Sequence, residues 1–505
     1  MNNQNVSDGV LVIYTGGTLG SIPKNEKEPN SPLIPLSKED VAKKVNPLFR
    51  LIQSYDSSYQ QIILNQRVVR LQFISLDEPI DSSNVAPSTW AEITNIIKKE
   101  IDNFVGFVIL SGTDTMTYTA SVLSFMIDNL SKPIIITGSQ IPIGQTRSDA
   151  VQNFVTAIEI AAAEILHNDI VPEVCIFFKN KLLRGCRTIK FSASNFDAFL
   201  SPNFPELGTA DEHIVINTKL VREPSRQSLQ ISSKYSPKVM YLKVAPGMDL
   251  ELIENIVTSD KLDGIILLTY GTGNAPTLKG FLNAIEKSIN KGKIVVNVTQ
   301  CMSGEVELGL YDVSAGLLSR GVVSGLDMTG EAAYTKLCHL LGTYNSKEAI
   351  SDLMQINMRG EQRLSIFNLH FGPCEFDEDE ETKTLIQVKD MVGEKMYEAD
   401  KVDKSFLRIM GITEPEGSKN QSARGKVYID YENANSNTDK EIINFLGSFD
   451  KRWNINDGPE NIFFTITDQA RRFIDNKHPI SITIVNENGR KLKWNKLEIG
   501  IFANI

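Results

Sequence analysis

The chain has 505 residues, 41% of them hydrophobic and 23% charged, and a formal net charge of -10. That length exceeds what one ordinary core holds, so two or three domains are expected, and the composition excludes disorder as the default. The acidic balance argues against nucleic acid as a partner, because proteins that bind a phosphate backbone carry a basic footprint.

The amino terminus, MNNQNVSDGV, lacks the basic and apolar regions of a secretory signal, and no apolar run approaches the roughly 20 residues of a membrane-spanning helix. The first apolar run, 10–14, leads straight into TGGT at 15–18. The next, 104–110, is followed by SGTDTM at 111–116, and 118–130 then reads as a helix. Run 134–137 opens TGSQIP at 137–142, after which Ser148 and Asp149 resemble a helix start. Val151, Phe154, Val155, Ile158, Ala161, Ala162 and Ile165 follow at helical spacing. Runs 174–178, 239–244, 264–269 and 294–298 continue the series, the last two ending in TYGTGNAP (269–276) and TQCMSG (299–304). Unbroken rather than alternating apolarity is what strands covered on both faces require, so the expected fold class is α/β with parallel-rich sheets.

A polar stretch from 201 to 228 reads as a linker. The expected division is a first domain at 1–203, a linker at 204–228 and a smaller α/β domain at 229–362. Beyond it, 364–505 reads as a mainly β accessory domain. The tail contains an acidic run, FDEDEETK at 376–383, taken as a solvated loop. Its alternating stretches are KVYIDY (426–431), NIFFTIT (461–467) and 481–502, with an Asn-Gly turn inside the last. Trp453 and Trp494 read as core aromatics, with a ligand face as the other reading. Five cysteines, odd in number and without a CxxC, read as free thiols of a reducing compartment, and the five histidines are dispersed. A cytoplasmic location and no metal site are therefore expected.

Ligands of open α/β sheets lie beyond the carboxyl ends of the strands, and there the sequence repeats small, hydroxyl-bearing and glycine residues. Neither GxGxxG nor GxxxxGK[ST] occurs, which removes support for dinucleotide or nucleoside triphosphate sites. TGGT followed by SGTDTM, together with TGSQIP and RSD (147–149), LLRGCRTIKFSASNFDAFLSPN (182–203), GTGNAP (271–276) and TQCMSG, resembles the L-asparaginase family. The branch is type I, cytoplasmic, and the resemblance covers about 8–362.

That resemblance implies a two-domain asparaginase-like unit that hydrolyses L-asparagine through a threonine acyl-enzyme, without metal or organic cofactor. Thr15 matches the nucleophile. Thr113, Asp114 and Lys190 match the group that handles the proton or the water. Asp81, Ser82 and Ser83 match the clamp on the substrate's α-groups, with Asp114 sharing the ammonium. Asn274 matches a position that reaches the site from a neighbouring subunit, which implies a homodimer or homotetramer. Thr18 reads as support for the turn through local bonding. Each residue has an ordinary counterpart: Thr113 and Asp114 as a helix cap, Lys190 as a surface lysine, DSSN as a plain loop. Two positions depart from the family pattern. Ser111 stands where a histidine is common, and the lid segment 19–38 has no tyrosine, with Tyr14, Tyr55 and Tyr59 lying outside it. A glutaminase, an ammonia-delivering amidotransferase subunit and a weakened regulatory homologue are the competing functions.

Overall fold

An apolar run buries both its faces only when neighbouring strands lie beside it and helices cover the sheet. In the computed structural model the first such run, β1 (Gly9–Gly16), is buried at every position inside a ten-stranded sheet. The structure describes residues 9–25, 28, 31–37, 52–54, 60–308 and 316–371. In the tail it describes 374–375, 381–387, 402–412, 422–429, 431, 433–439, 444–452, 460–465, 480–487, 493–494 and 496–503.

The other strands of this sheet are β2 (Ile52–Ser54), β3 (Gln60–Leu64), β4 (Arg67–Ile80), β5 (Gly106–Leu110), β6 (Ile134–Thr137), β7 (Val174–Phe178), β8 (Lys181–Arg184), β9 (Gly208–Ala210) and β10 (Ile214–Ile216). Their spatial order is β10-β9-β8-β7-β6-β5-β1-β4-β3-β2. The centre, β4-β1-β5-β6-β7, is parallel, and both edges are antiparallel. From β1 the chain passes to β4 on one side and later to β5 on the other. The carboxyl end of β1 is thus a switch point, where a crevice opens.

β4, β9 and β10 depart from the sequence expectation. β4 carries Arg70 between its buried Val69 and Leu71, so it shows no unbroken apolar run. β9 and β10 fall inside the stretch expected to be linker; three residues each, they are too short for any periodicity to register.

Three longer helices among the described residues cover the first sheet. α1 (Pro87–Glu100) starts on a proline and buries Trp90, Ile93 and Ile97. α2 (Met116–Met126) begins two residues before the expected helix. It ends early because Ile127–Asp128 turns into a short strand paired with Gln230–Ile231. α3 (Ala150–Ala161) starts where expected, but the Asp149 carboxylate accepts from the Gln140 and Ile141 amides rather than capping the helix. It thereby closes the TGSQIP loop.

The second sheet, β11 (Val239–Lys243), β12 (Gly264–Thr269), β13 (Ile294–Thr299) and β14 (Val323–Ser324), is wholly parallel in that order. α4 (Leu250–Val257) and α5 (Lys279–Asn290) pack one face, α6 (Gly330–Thr343) and α7 (Lys347–Gln355) the other.

The described tail is strand, as expected. Leu364–Phe371, Lys496–Ala503, Val402–Ile412 and Glu460–Thr465 form one antiparallel sheet in that order. Thr382–Gln387, Ile480–Asn486, Ser422–Ile429 and Phe445–Arg452 form another. Trp494 is fully buried, in keeping with the core reading. Trp453, the Asn-Gly turn, residues 376–380, Tyr55 and Tyr59 lie outside the described residues. Among the described residues no helix is long and apolar enough to cross a membrane.

Candidate active site

Thr15 is buried at the end of β1, and its Oγ1 donates to the Leu110 carbonyl at 3.0 Å, tying this strand end to that of β5. Gly16 and Gly17 have φ of +113° and +86°, backbone that side chains rarely adopt. A Cβ on Gly16 would run into the Ile80 carbonyl, and one on Gly17 into the Gly112 amide. The two glycines therefore let TGGT touch SGTDTM and the end of β4. Thr18 does not perform the bonding expected of it: its hydroxyl makes no hydrogen bond among the described residues. Ser21 Oγ closes the turn instead by donating to the Gly17 carbonyl at 2.9 Å.

Beside this contact, Lys190 Nζ donates to Thr113 Oγ1 at 2.9 Å and to Asp114 Oδ1 at 2.7 Å. Thr113 is buried, the Lys190 side chain nearly so, and Asp114 is open, with 68% of its side chain exposed. Lys190 is held by a two-residue strand, Ile189–Lys190, paired with Phe199–Leu200; the FDAFL segment thus fixes the lysine. Neither Thr113 nor Asp114 caps α2, whose N-cap is Thr115 without a side-chain cap bond. The capping counterpart of this motif is absent, and its polar groups turn to the lysine.

Thr115, which sequence reasoning passed over, connects the third loop. Its Oγ1 donates to the Ser82 carbonyl at 2.7 Å, and Ser82 packs on Gly112 so closely that a Cβ there would lie 2.6 Å from the Ser82 Cβ. Asp81 Oδ1 accepts from the Ser83 amide at 2.9 Å and the Ser83 hydroxyl at 2.6 Å. These bonds, the hydroxyl foremost, hold the carboxyl below its ordinary pKa. The Ser83 proton is committed to Asp81, so Ser83 Oγ faces outward only as an acceptor.

Asn274 stands apart from these loops. It follows β12 in the second sheet, exchanges two backbone hydrogen bonds with Tyr270, and buries its side-chain oxygen without a partner. Within the chain, no hydrogen bond joins it to Thr15, Thr113, Asp114 or Lys190. Tyr14 is no substitute for a lid tyrosine: its ring packs under Gly20 and its buried hydroxyl meets the Leu36 backbone. The lid's described part is a small antiparallel pair, Ser21–Pro23 with Leu33–Pro35, on which Leu33 and Ile34 are exposed.

The second sheet is fastened to this arrangement by contacts whose residues lay unassigned inside the quoted motifs. Arg187 of RTIK's approach pairs with Asp327 at 2.6 Å in a buried bridge. Asn203 of LSPN exchanges bonds with Gly304 and donates to the Asp327 carbonyl. Among the described residues no cluster of histidine, cysteine and carboxylate side chains could hold a metal ion.

Residues 9–222 match the asparaginase N-terminal family model, and 238–354 match the glutaminase/asparaginase C-terminal domain. L-asparaginase 1 of Escherichia coli K12 is 43% identical over 284 residues, 56% of this chain and 82% of that protein. The mouse 60 kDa lysophospholipase is 34% identical over 365 residues, 70% of this chain and 62% of that protein. The crystal structure of L-asparaginase I from Vibrio cholerae superposes with a TM-score of 0.60 at 36% identity, covering 71% of this chain and 100% of that one.

Proposed function

We propose that this chain, which belongs to the asparaginase family of amidohydrolases, hydrolyses the side-chain amide of L-asparagine to L-aspartate and ammonia. The observation that carries the reading is the three-atom array Thr113 Oγ1, Lys190 Nζ and Asp114 Oδ1, packed beside Thr15 by glycines that admit no side chain.

In this reading Thr15 Oγ1 attacks the amide carbon, its proton passes into the Thr113–Lys190 network, and the C–N bond breaks as ammonia takes up a proton. The resulting ester is cleaved by a water that the same network orients, returning the proton to Thr15. Backbone amides of the two glycine loops face the developing oxyanion. Asp81, held ionised and with one oxygen uncommitted, receives the substrate ammonium together with the exposed Asp114 carboxylate, and Ser82 lines the clamp. Asn274 serves the neighbouring subunit's site in a homodimer or homotetramer, where its unpartnered amide oxygen finds a donor. No metal or organic cofactor takes part, and the enzyme acts in the cytoplasm. Residues 1–203 and 229–362 make the catalytic unit, with β9 and β10 of the intervening 204–228 stretch completing its first sheet, and 364–505 is accessory.

Ammonia release from asparagine tests this directly. The parent is expected to be active, Thr15→Ala nearly inactive, and Thr113→Val and Lys190→Met slower by on the order of 100- to 10,000-fold. A fully active Thr15→Ala refutes the assignment. The lysophospholipase relative and the glutaminase alternative define two further substrates for the same assay. Turnover of free glutamine or of a lysophospholipid exceeding that of asparagine would move the substrate while leaving Thr15 in place.

A further inference from the structure

At the opposite end of α2 from Thr113 and Asp114 lies a cleft of about 320 Å3 walled by Ser124, Asp128, Glu173, Arg184, Arg222 and Arg359, among others. Its charges sort into two closed pairs and a remainder. Glu173 is fully committed: its carboxylate meets Arg184 through two hydrogen bonds, Oε2 to Nε at 2.6 Å and Oε1 to Nη2 at 3.0 Å. Oε1 also accepts the Arg222 backbone amide at 2.8 Å. Arg359 meets Asp128 at 3.0 Å and donates from Nε to the Ser124 carbonyl at the end of α2 and from Nη1 to the Met358 carbonyl.

Glu223 and the Arg222 guanidinium are what remain. The one hydrogen bond of that guanidinium among the described residues is a long contact from Nη2 to the Met358 carbonyl, 3.4 Å, and no carboxylate among them lies in ion-pair range. Glu223, next in the chain, forms no ion pair with it. Crowding by the surrounding protein pulls the Arg222 pKa down, Glu173 opposes this, and the like charges of Arg359 and Arg184 add to the lowering. A planar fork with most of its five donors free, facing a cleft of small-molecule size, is the arrangement that takes a bidentate oxyanion.

We propose that this cleft binds a small oxyanion, a carboxylate or a phosphate free in solution, on the Arg222 guanidinium, at a site separate from the Thr15 cluster. The Arg184–Glu173 and Arg359–Asp128 pairs hold the walls in place. Glu223 and Asp128 also line the cleft, where an ammonium on the ligand would find a partner.

Calorimetric titration of the full chain with succinate and, separately, with inorganic phosphate tests the proposal. Arg222→Ala is the decisive variant, since that side chain makes only the long contact to the Met358 carbonyl; Arg222→Lys keeps the charge but loses the fork. Saturable binding of either probe to the parent is expected, weakened at least tenfold in Arg222→Ala and partly retained in Arg222→Lys. Which probe binds more tightly identifies the ligand class. Absence of binding by both probes overturns the proposal, as does binding that survives Arg222→Ala, because it would then lie elsewhere, the Thr15 cluster included. Since the readout is binding, a failure of the asparaginase assignment leaves this result untouched.

Discussion

Gly112→Ala probes whether the meeting of three loops makes the site. A Cβ at this position would lie 2.5 Å from Ser82 Oγ, 2.6 Å from Ser82 Cβ and 3.2 Å from the Gly17 Cα. Rotating the serine hydroxyl away relieves the first contact but not the second, because a Cβ moves only with its backbone. The 81–83 loop must therefore retreat from the 111–114 loop by roughly 1 Å, and a misplacement of that size costs on the order of 100-fold in rate, about 2.7 kcal/mol of barrier. Overpacking a site of this kind costs about 1–3 kcal/mol of stability, so the fold survives while the geometry fails. The assay is kcat/KM for ammonia release from asparagine, with a urea titration alongside to separate misfolding from misalignment. Ser82→Gly removes both clashing atoms, so Gly112→Ala/Ser82→Gly should be more active than the product of the two single effects. Parent-like kcat/KM in Gly112→Ala, or strictly additive effects in the double variant, would refute the reasoning.

Three further outcomes are expected. Tyr14→Phe should leave turnover unchanged and cost no more than about 1 kcal/mol of stability, because the buried hydroxyl meets only the Leu36 backbone; a drop in kcat would give that hydroxyl a catalytic role. Lys336 and Glu361, both fully buried, form an ion pair behind α6, and Lys336 also holds the Met354 and Ile356 carbonyls. Burial acts to raise the Glu361 pKa, but Lys336 and the Met358 and Arg359 amides outweigh it and hold the carboxyl low. Lys336→Met should cost about 3–5 kcal/mol by chemical denaturation, and adding Glu361→Gln should recover part of it; a loss below about 1 kcal/mol contradicts the account. His339, buried with Nδ1 3.1 Å from the Lys234 carbonyl, has its pKa pushed down to about 4, chiefly by burial. The unfolded chain takes up this proton below pH 6.5 and the folded one does not, so stability is full above that pH and falls toward pH 4. The loss between pH 7 and pH 5 is about 2 kcal/mol, and His339→Gln should flatten that part of the urea-midpoint profile.

The legible part of the fold shares one property. β1, β5, β6, β7, β12 and β13 are covered on both faces, and full cover demands the unbroken apolar runs that the sequence displays. β4 has one wetter face and so carries Arg70 between its buried Val69 and Leu71. β9 and β10 are short strands at one margin of the sheet, β9 held by pairing with β8 and β10 by pairing with β9 rather than by their own composition. The same contrast governs the site. Thr15, Thr113, Asp114 and Lys190 were readable because each stands in a motif. Thr115 was not, because its role is a single bond to a carbonyl 33 residues earlier in the chain.

By itself the amino-acid sequence determined the residue types at the strand ends, the glycines where β1 must turn with positive φ, and the family to which the chain belongs. These are local properties, written into neighbouring positions. Tertiary structure alone decided that Lys190 reaches across 76 residues to Asp114, that Asp81 binds Ser83 before any substrate, that Asn274 stays apart from the cluster within one chain, and that Arg222 is left unpaired once Glu173 and Asp128 are taken. Each of these depends on which groups meet in space, and a polar side chain's partner is set by the packing of segments far apart in sequence.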